Sequence, residues 1–374
     1  MNELRLENTL KSHRERLCLS QQVLGQRVGV TRQAILAIEA GRQVPSTSLG
    51  LQLAHALGCR FEELFQLIPG GGLEVRVAPT GEECVRGVPQ GTRVAVGWVE
   101  DQWVAHRLSL DGAIAADAVV ESASPPGKAI VRPFLSSPQL QNNLLVAGCA
   151  PILGALGQRV DERFSGVRVN WLPASSRRAM EWLKNGLVHV AGIHLSGTQT
   201  GEDNASEVLR TFPERRMLLV NLTRWRQGLV IAAGNPLSIR AVADLLRPGL
   251  RIVRREEGAG AHKLITRLMA SEGAGDVELS GPFAGGHADV ARLVECGAAD
   301  VGVAIESVAL ASGLEFLPLV EERFDLVVPY DLASTVPVSR LIDVLDDFRF
   351  RKEMEHLPGY DGEFSGHVIT LGGS

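Results

Sequence analysis

The stretch Leu19-Ser-Gln-Gln-Val-Leu-Gly-Gln-Arg-Val-Gly-Val-Thr-Arg-Gln-Ala-Ile-Leu-Ala-Ile-Glu-Ala-Gly-Arg42 decides how the N-terminal part of this chain folds. Ser20 and Thr31 each precede an apolar-periodic segment, where a side-chain oxygen caps a helix. Gly29, between the two segments, admits the left-handed backbone that a tight turn requires. Leu24 and Val28 of the first segment point inward, and Ile35 and Ile38 of the second dock on them. Gly25 is small where two helices cross closely. That docking leaves Arg32, Gln33 and Leu36 facing outward. Such a helix fits the DNA major groove, where Arg reads guanine edges, Gln reads adenine edges and an apolar side chain meets thymine methyl groups.

Working outward, residues 4–67 read as short helices, the first with Leu4, Leu6, Leu10, Leu17 and Leu19 as its apolar stripe. Ser46 is a further cap, and Gly41 and Gly58 are helix stops. Pro69-Gly70-Gly71-Gly72 reads as a linker between domains 1–68 and 73–139. Alternation in Leu73–Ala78 and Thr92–Trp98, with apolar pairs at Val119-Val120 and Ala129–Val131, predicts a small β-rich connector with a loop at Ser122–Gly127. From Leu140 apolar strands alternate with amphipathic helices to the C-terminus. That order predicts an α/β domain over 140–374 with parallel sheets. Trp171, Trp182 and Trp225 stand at apolar positions and read as core.

The 374 residues suit two or three folding units, and 45% hydrophobic with 22% charged residues suits a globular core. The net charge of −5 divides unevenly: residues 1–68 carry a net +2 and the remainder −7. Cys18, Cys59, Cys84, Cys149 and Cys296 are odd in number and scattered, with no C-x-x-C. This argues against a disulfide framework or a zinc cluster and for reduced thiols in a cytoplasm. The charged N-terminus is no signal peptide, and the longest apolar stretch, Leu144–Leu156, is too short to span a membrane.

Residues 4–67, with Pro45-Ser46 and the closing Phe61-Glu-Glu-Leu-Phe65, resemble the Cro/C1-type (XRE) helix-turn-helix family. The resemblance implies double-stranded DNA as partner. Gln21 and Arg42 would touch phosphates, and Thr31, Arg32, Gln33 and Leu36 would face bases. One such motif reads one half-site, so a homodimer or higher homo-oligomer is expected.

Three strand–turn–helix junctions in the C-terminal domain carry small residues: Val146–Pro151, Gly192–Gly197 and Arg254–Ala261. Each offers backbone N–H groups that bind an anion without a cationic side chain. Val190–Leu195 with Thr200–Asn204, Arg226-Gln-Gly-Leu229 with Gly234-Asn-Pro236, Arg254–Gly260, Gly286–Val290 with Gly297–Gly302, Phe324–Pro329 and Leu357–Asp361 resemble the type II periplasmic-binding-protein fold, specifically the cytoplasmic PBP-like domain related to molybdate-binding proteins. The resemblance implies one lobe at 140–225 plus 330–374 and a second at 226–329. A ligand would sit between them, touched by Gly148, Cys149, Ala150, His194, Ser196, Thr198, Arg255, Gly258, Ala259, Gly260, His287 and Glu306. It also implies an oxyanion such as molybdate or tungstate. Cys149 stands where relatives carry a small hydroxyl residue, and Gly258-Ala-Gly260 where they carry Ser-Gly-Thr. The loss of two hydroxyls leaves room for an organic anion.

The expected function is a cytoplasmic one-component transcription regulator that senses a small anion, without a cofactor and without catalysis. Two other classes compete. Cys149, on a strand–helix turn with His194 as base, is a candidate nucleophile, but no oriented third group or metal-ligand spacing is visible. A ligand-independent repressor would use the C-terminal domain for dimerisation alone.

Overall fold

A computed structural model describes residues 4–69, 71–79, 87–108, 114–123, 127–194, 202–273 and 279–372. The chain divides into two compact units, residues 1–94 with 107–141 and residues 95–106 with 142–374. The second includes a hairpin, 95–106, that lies inside the sequence-defined connector.

The N-terminal part contains β1 (Leu4–Asn8), α1 (Leu10–Arg16), α2 (Gln21–Arg27), α3 (Arg32–Glu39), α4 (Thr47–Leu57), α5 (Phe61–Leu64) and β2 (Phe65–Pro69). Ser20, Thr31 and Ser46 accept from the backbone N–H groups of Val23, Ala34 and Leu49, so all three expected caps form. Leu10, Leu24, Ile35, Ile38, Leu53 and Leu64 fill the core. A Cβ on Gly25 would lie 2.7 Å from the Val30 carbonyl oxygen, so the turn itself, rather than a helix crossing, excludes a side chain there. Residues 4–8 correct the helical expectation. They form a strand antiparallel to β2, with Leu4 opposite Pro69 and Asn8 opposite Phe65. The same pairing makes Pro69 the end of a strand, not the start of a linker. Leu17 is 47% exposed and lies outside the apolar stripe.

Next come β3 (Leu73–Val77), β4 (Arg93–Val99), β5 (Gln102–Arg107), β6 (Ala118–Ala123) and β7 (Lys128–Pro133); within the first unit β7 pairs with β3 and with β6, and β6 pairs with the start of β4 at Arg93 and Val94. Glu100 and Asp101 take positive φ (46° and 60°) in the two-residue turn between β4 and β5, as a tight hairpin requires. His106 places Nε2 2.7 Å from the Leu187 carbonyl. His189 accepts at Nδ1 from the Leu145 N–H, and its Nε2 stands 2.9 Å from the Trp98 carbonyl. These contacts fasten hairpin 95–106 to the α/β framework of its own unit.

The remaining elements are α6 (Ser137–Gln141), β8 (Asn143–Gly148), α7 (Ile152–Arg163), β9 (Arg168–Pro173), α8 (Ser176–Lys184), β10 (Val190–Ile193), α9 (Glu202–Thr211), β11 (Met217–Ile231), α10 (Gly260–Ser271), α11 (His287–Glu295), β12 (Val301–Ile305), α12 (Glu306–Ala311), β13 (Glu315–Pro329), α13 (Val336–Leu345), α14 (Phe348–Glu355), β14 (Tyr360–Asp361) and β15 (Val368–Leu371). The sheet runs β12-β11-β13-β10-β8-β9, with β14 and β15 also on β11. Among the described strands, β10, β8 and β9 are the ones that pair in parallel, with single parallel bridges at Ile252–Val301 and Arg254–Phe283. β11 and β13 pair antiparallel along their whole length, from Met217–Pro329 to Ile231–Glu315. The expectation of parallel sheets is corrected accordingly.

One half of this ladder packs in a core with Leu144, Leu156, Val220, Phe324, Leu341 and Phe350. The other half packs in separate cores, with Leu229, Leu264 and Val303, and with Val230, Val290 and Ala304. Two lobes therefore share two continuous strands. Residues 324–328 belong to the first lobe's core, so the sequence boundary that gave 226–329 to the second lobe is too late on β13. The ladder shifts register at Asn221/Thr223 and at Gln227/Gly228. A Cβ on Gly228 would lie 2.1 Å from the Leu317 carbonyl oxygen, so only glycine fits at the second shift.

Candidate functional site

In the N-terminal part, burial of Ile35 and Ile38 turns the opposite side of α3 outward. Arg32, Gln33 and Leu36 are exposed there, with Thr31 at the cap and Arg42 exposed beyond the helix. Gln21 also has a partner within the fold. Its amide donates to Glu39 at 2.8 Å. Glu39 also receives Arg14 Nε at 2.6 Å and Nη2 at 3.1 Å, while Arg14 Nη1 donates to the Leu19 carbonyl. Burial alone would raise the Glu39 pKa, but hydrogen bonds from Arg14 and Gln21 outweigh it and hold the carboxyl below its usual range. Gln21 thus braces α2 against α3 through one of its N–H groups.

In the 142–374 region the ends of several elements converge. Cys149 follows β8, His194 follows β10, Arg255 precedes α10, and His287 opens α11. All four are buried. One donor atom each from Cys149, His194 and His287 lies within 4.8 Å of the other two. β11 and β13 supply the floor, where Trp225 and Glu322 are direct cross-strand partners. His194 Nδ1 is 2.7 Å from Glu322 Oε2, and Trp225 Nε1 donates to that oxygen at 3.5 Å. Gln227, with its amide oriented to donate, lies 3.2 Å from both Glu322 oxygens. The Trp225 indole meets the rings of His194 and His287 edge-on at 5.0 and 5.6 Å.

The electrostatics differ from residue to residue. Burial would depress His194, but the charge and hydrogen bonds of Cys149 and Glu322 prevail and push it up to about 10. His287 moves the other way, well below its ordinary value, through burial first and then the positive charges of Arg255 and His194. Burial also lowers Arg255. Arg255 Nη2 reaches the Gly285 carbonyl at 3.4 Å. Its Nε and Nη1, and both ring nitrogens of His287, make no hydrogen bond to any described residue. Buried polar groups left this way carry a cost of about 1–3 kcal/mol each, which a bound partner removes.

Of the expected ligand contacts, Cys149, His194, Arg255, Gly260 and His287 therefore come together. Gly148 closes β8, its carbonyl accepting from Trp171 Nε1 at 2.8 Å. Ala150 is fully buried behind it. Gly258 backs onto Arg177, 2.7 Å from where its Cβ would stand, and Ala259 is the N-cap of α10. Glu306 pairs instead with Arg226 at 2.7 Å. Ser196 and Thr198 lie outside the described residues, as does Cys84. Cys18, Cys59, Cys149 and Cys296 are free thiols. Sequence reasoning missed Glu322 and Gln227, and took Trp225 for core alone. Glu322 also supplies the oriented third group that was not visible beside Cys149 and His194. A signal for it existed: Glu322 is two residues before the apolar Phe324, on the same face of a strand.

A helix-turn-helix profile matches residues 10–64, and a PBP superfamily domain profile matches residues 157–346, half of the chain. The chain is 43% identical over 67 residues to an uncharacterized HTH-type transcriptional regulator of Methanothermobacter thermautotrophicus, covering 18% of this chain and 97% of that protein. It is 26% identical over 237 residues to the uncharacterized protein YvgK of Bacillus subtilis, covering 63% of this chain and 76% of that one. Among solved structures, an ancestral arginine-binding protein bound to arginine is similar at 16% identity and a TM-score of 0.41, over 59% of this chain and 99% of that one. The chain belongs to the HTH-type transcriptional regulators and carries a PBP superfamily domain as its ligand-binding part.

Proposed function

We propose that this regulator binds a small anion at the Cys149–His194–Arg255–His287 cluster, and that binding changes its affinity for operator DNA. The observation that carries the reading is Arg255, a buried guanidinium whose Nε and Nη1 have no hydrogen-bond partner among the described residues, beside an imidazole in the same condition. A buried cation of this kind is stabilised by a charged acceptor. The reading includes a cytoplasmic protein, a homodimer on paired half-sites, and no catalysis. Molybdate and tungstate are the first ligands to test, and small organic carboxylates the alternative that the hydroxyl-poor walls favour.

A thermal-shift panel of molybdate, tungstate, sulfate and organic acids separates these. An anion at about 100 times its Kd adds about 2.7 kcal/mol of stability. Linkage then requires operator DNA to change the affinity for that anion by the factor by which the anion changes operator affinity. Independence of the two affinities at one salt concentration sinks the sensor reading.

One observation favours a second reading. Cys149, His194 and Glu322 stand as thiol, imidazole and orienting carboxylate, an arrangement that activates a nucleophile. Turnover of a bound ligand, abolished in Cys149→Ser, would establish it. Full regulation by that variant without turnover disposes of it.

A further inference from the structure

We infer that Cys149, His194 and His287 form a three-donor site for a borderline-soft divalent metal ion, Zn2+ first, with a fourth position left for the anion. This inference rests on the anion-sensing reading for the occupant of that fourth position, but not for the metal itself.

Three observations converge on the metal. The Cys149 sulfur and one nitrogen from each imidazole lie within 4.8 Å of one another, and all three residues are buried. Around a tetrahedral Zn2+ such donors stand about 3.3–3.6 Å apart, so a contraction of roughly an ångström seats the ion. The mixed thiolate–imidazole set selects Zn2+ and related ions over Mg2+ or Ca2+.

The second observation is His287. Neither ring nitrogen has a hydrogen-bond partner among the described residues, although the side chain is buried. Capping of α11 does not use the ring, because Asp289 Oδ2 accepts from the Gly286 N–H at 3.1 Å. A buried imidazole with no partner among the described residues, beside a thiol and a second imidazole, has the form of a metal ligand.

The third is the support behind His194. Glu322 engages Nδ1 at 2.7 Å and is itself held by Trp225 and Gln227. A carboxylate on one nitrogen fixes the ring so that the other faces a metal. Charge also closes on an anion. A divalent ion with the Cys149 thiolate and the Glu322 carboxylate sums to zero, leaving Arg255 positive for the ligand in the open position.

His13, Cys59 and Glu63 are also mutually close, but each has a partner: Thr9 for His13, the Ala54 carbonyl for Cys59 and Arg60 for Glu63. That trio serves as the control.

The test is a titration of the full chain, stripped with a chelator, with Co2+ alone. The expected result is one Co2+ per chain with tetrahedral d–d bands and a thiolate-to-cobalt charge-transfer band, both lost on adding Zn2+. Cys149→Ser removes the charge-transfer band, His287→Asn weakens binding at least about 100-fold, and Cys59→Ser changes nothing. Absence of the charge-transfer band in the wild-type chain overturns the inference, as does its survival in Cys149→Ser. The failures are separable by repeating the anion panel on stripped protein. An anion-induced shift without Co2+ binding overturns the metal site and leaves the anion reading standing. Co2+ binding with no shift by any anion supports the metal site and leaves the anion reading without support.

Discussion

Gly260 and His194 touch so closely that a single added carbon has no room: a Cβ on Gly260 would lie 2.4 Å from His194 Cε1 and 2.7 Å from Nδ1. The first residue of α10, from one lobe, thus lies against the ring that follows β10 in the other. Gly260→Ala must push the helix away or turn the imidazole off Glu322. The expected cost is about 1–3 kcal/mol, as for overpacking elsewhere, with a reduced anion-induced stabilisation. Urea unfolding and the thermal-shift panel measure the two effects. An unchanged midpoint with a full ligand response would show that the contact does not position His194.

The outward residues of α3 carry the second prediction. Arg32→Ala and Gln33→Ala should each weaken operator binding by about 1–3 kcal/mol at fixed salt. Both are exposed, so stability should move by no more than about 0.5 kcal/mol. Equal losses on operator and random DNA would assign these residues to phosphates rather than bases.

A third concerns the braces behind that helix. Arg14 and Glu39 form a pair whose side chains are 9% and 3% exposed, joined by Gln21. Glu39→Ala strands a buried guanidinium and should cost about 3–5 kcal/mol locally. Hydrogen exchange of α2 and α3 amides reads this without assuming that the whole chain unfolds in one step. Operator binding falls with it. Protection equal to wild type would mean that Arg14 finds water or another acceptor.

Acid should destabilise the unit that contains hairpin 95–106. Burial, the largest influence on each, pushes His106 and His189 down to about 4. Their unfolded forms bind protons near pH 6.5 while the folded forms do not. Stability from these two groups is therefore full above pH 6.5 and is lost as pH falls toward 4, by up to about 1.4 kcal/mol per proton per pH unit. His194 works in the other direction. Its raised pKa gives stability that is present below pH 6.5 and lost as pH rises toward about 10. Urea midpoints between pH 4 and 10 trace both limbs, and His106→Asn should flatten the acid limb. An acid limb of unchanged slope in that variant would mean that other groups carry it.

How much was legible in the sequence follows the range of the interactions. Ser20, Thr31 and Gly29 act on neighbours within a few residues, and the helix-turn-helix could be read from them. Leu4 and Leu6 misled, because the same spacing begins a helical stripe when β2, some sixty residues on, is not in view. β5 went unread for a similar reason: Gln102–Arg107 carries polar ends and takes its place from strand partners. In the cleft, Cys149, His194, Arg255 and His287 could be picked out because they sit at strand ends and helix starts. Glu322 could not, since it lies within a long strand and its partner His194 is 128 residues away.

The shared strands have a consequence for how the protein can be observed. Trp225 and Glu322 face each other on the ladder between its two register shifts, at Asn221/Thr223 and Gln227/Gly228. A ladder bends most readily where its pairing is already irregular, so a change in angle between the lobes is expected to fall on the segment that holds this indole. Trp225 also rests edge-on against both histidines of the cluster. On the proposed reading, Trp225 emission is expected to respond to ligand and to lobe angle together, so the chain would carry its own optical gauge at the pivot.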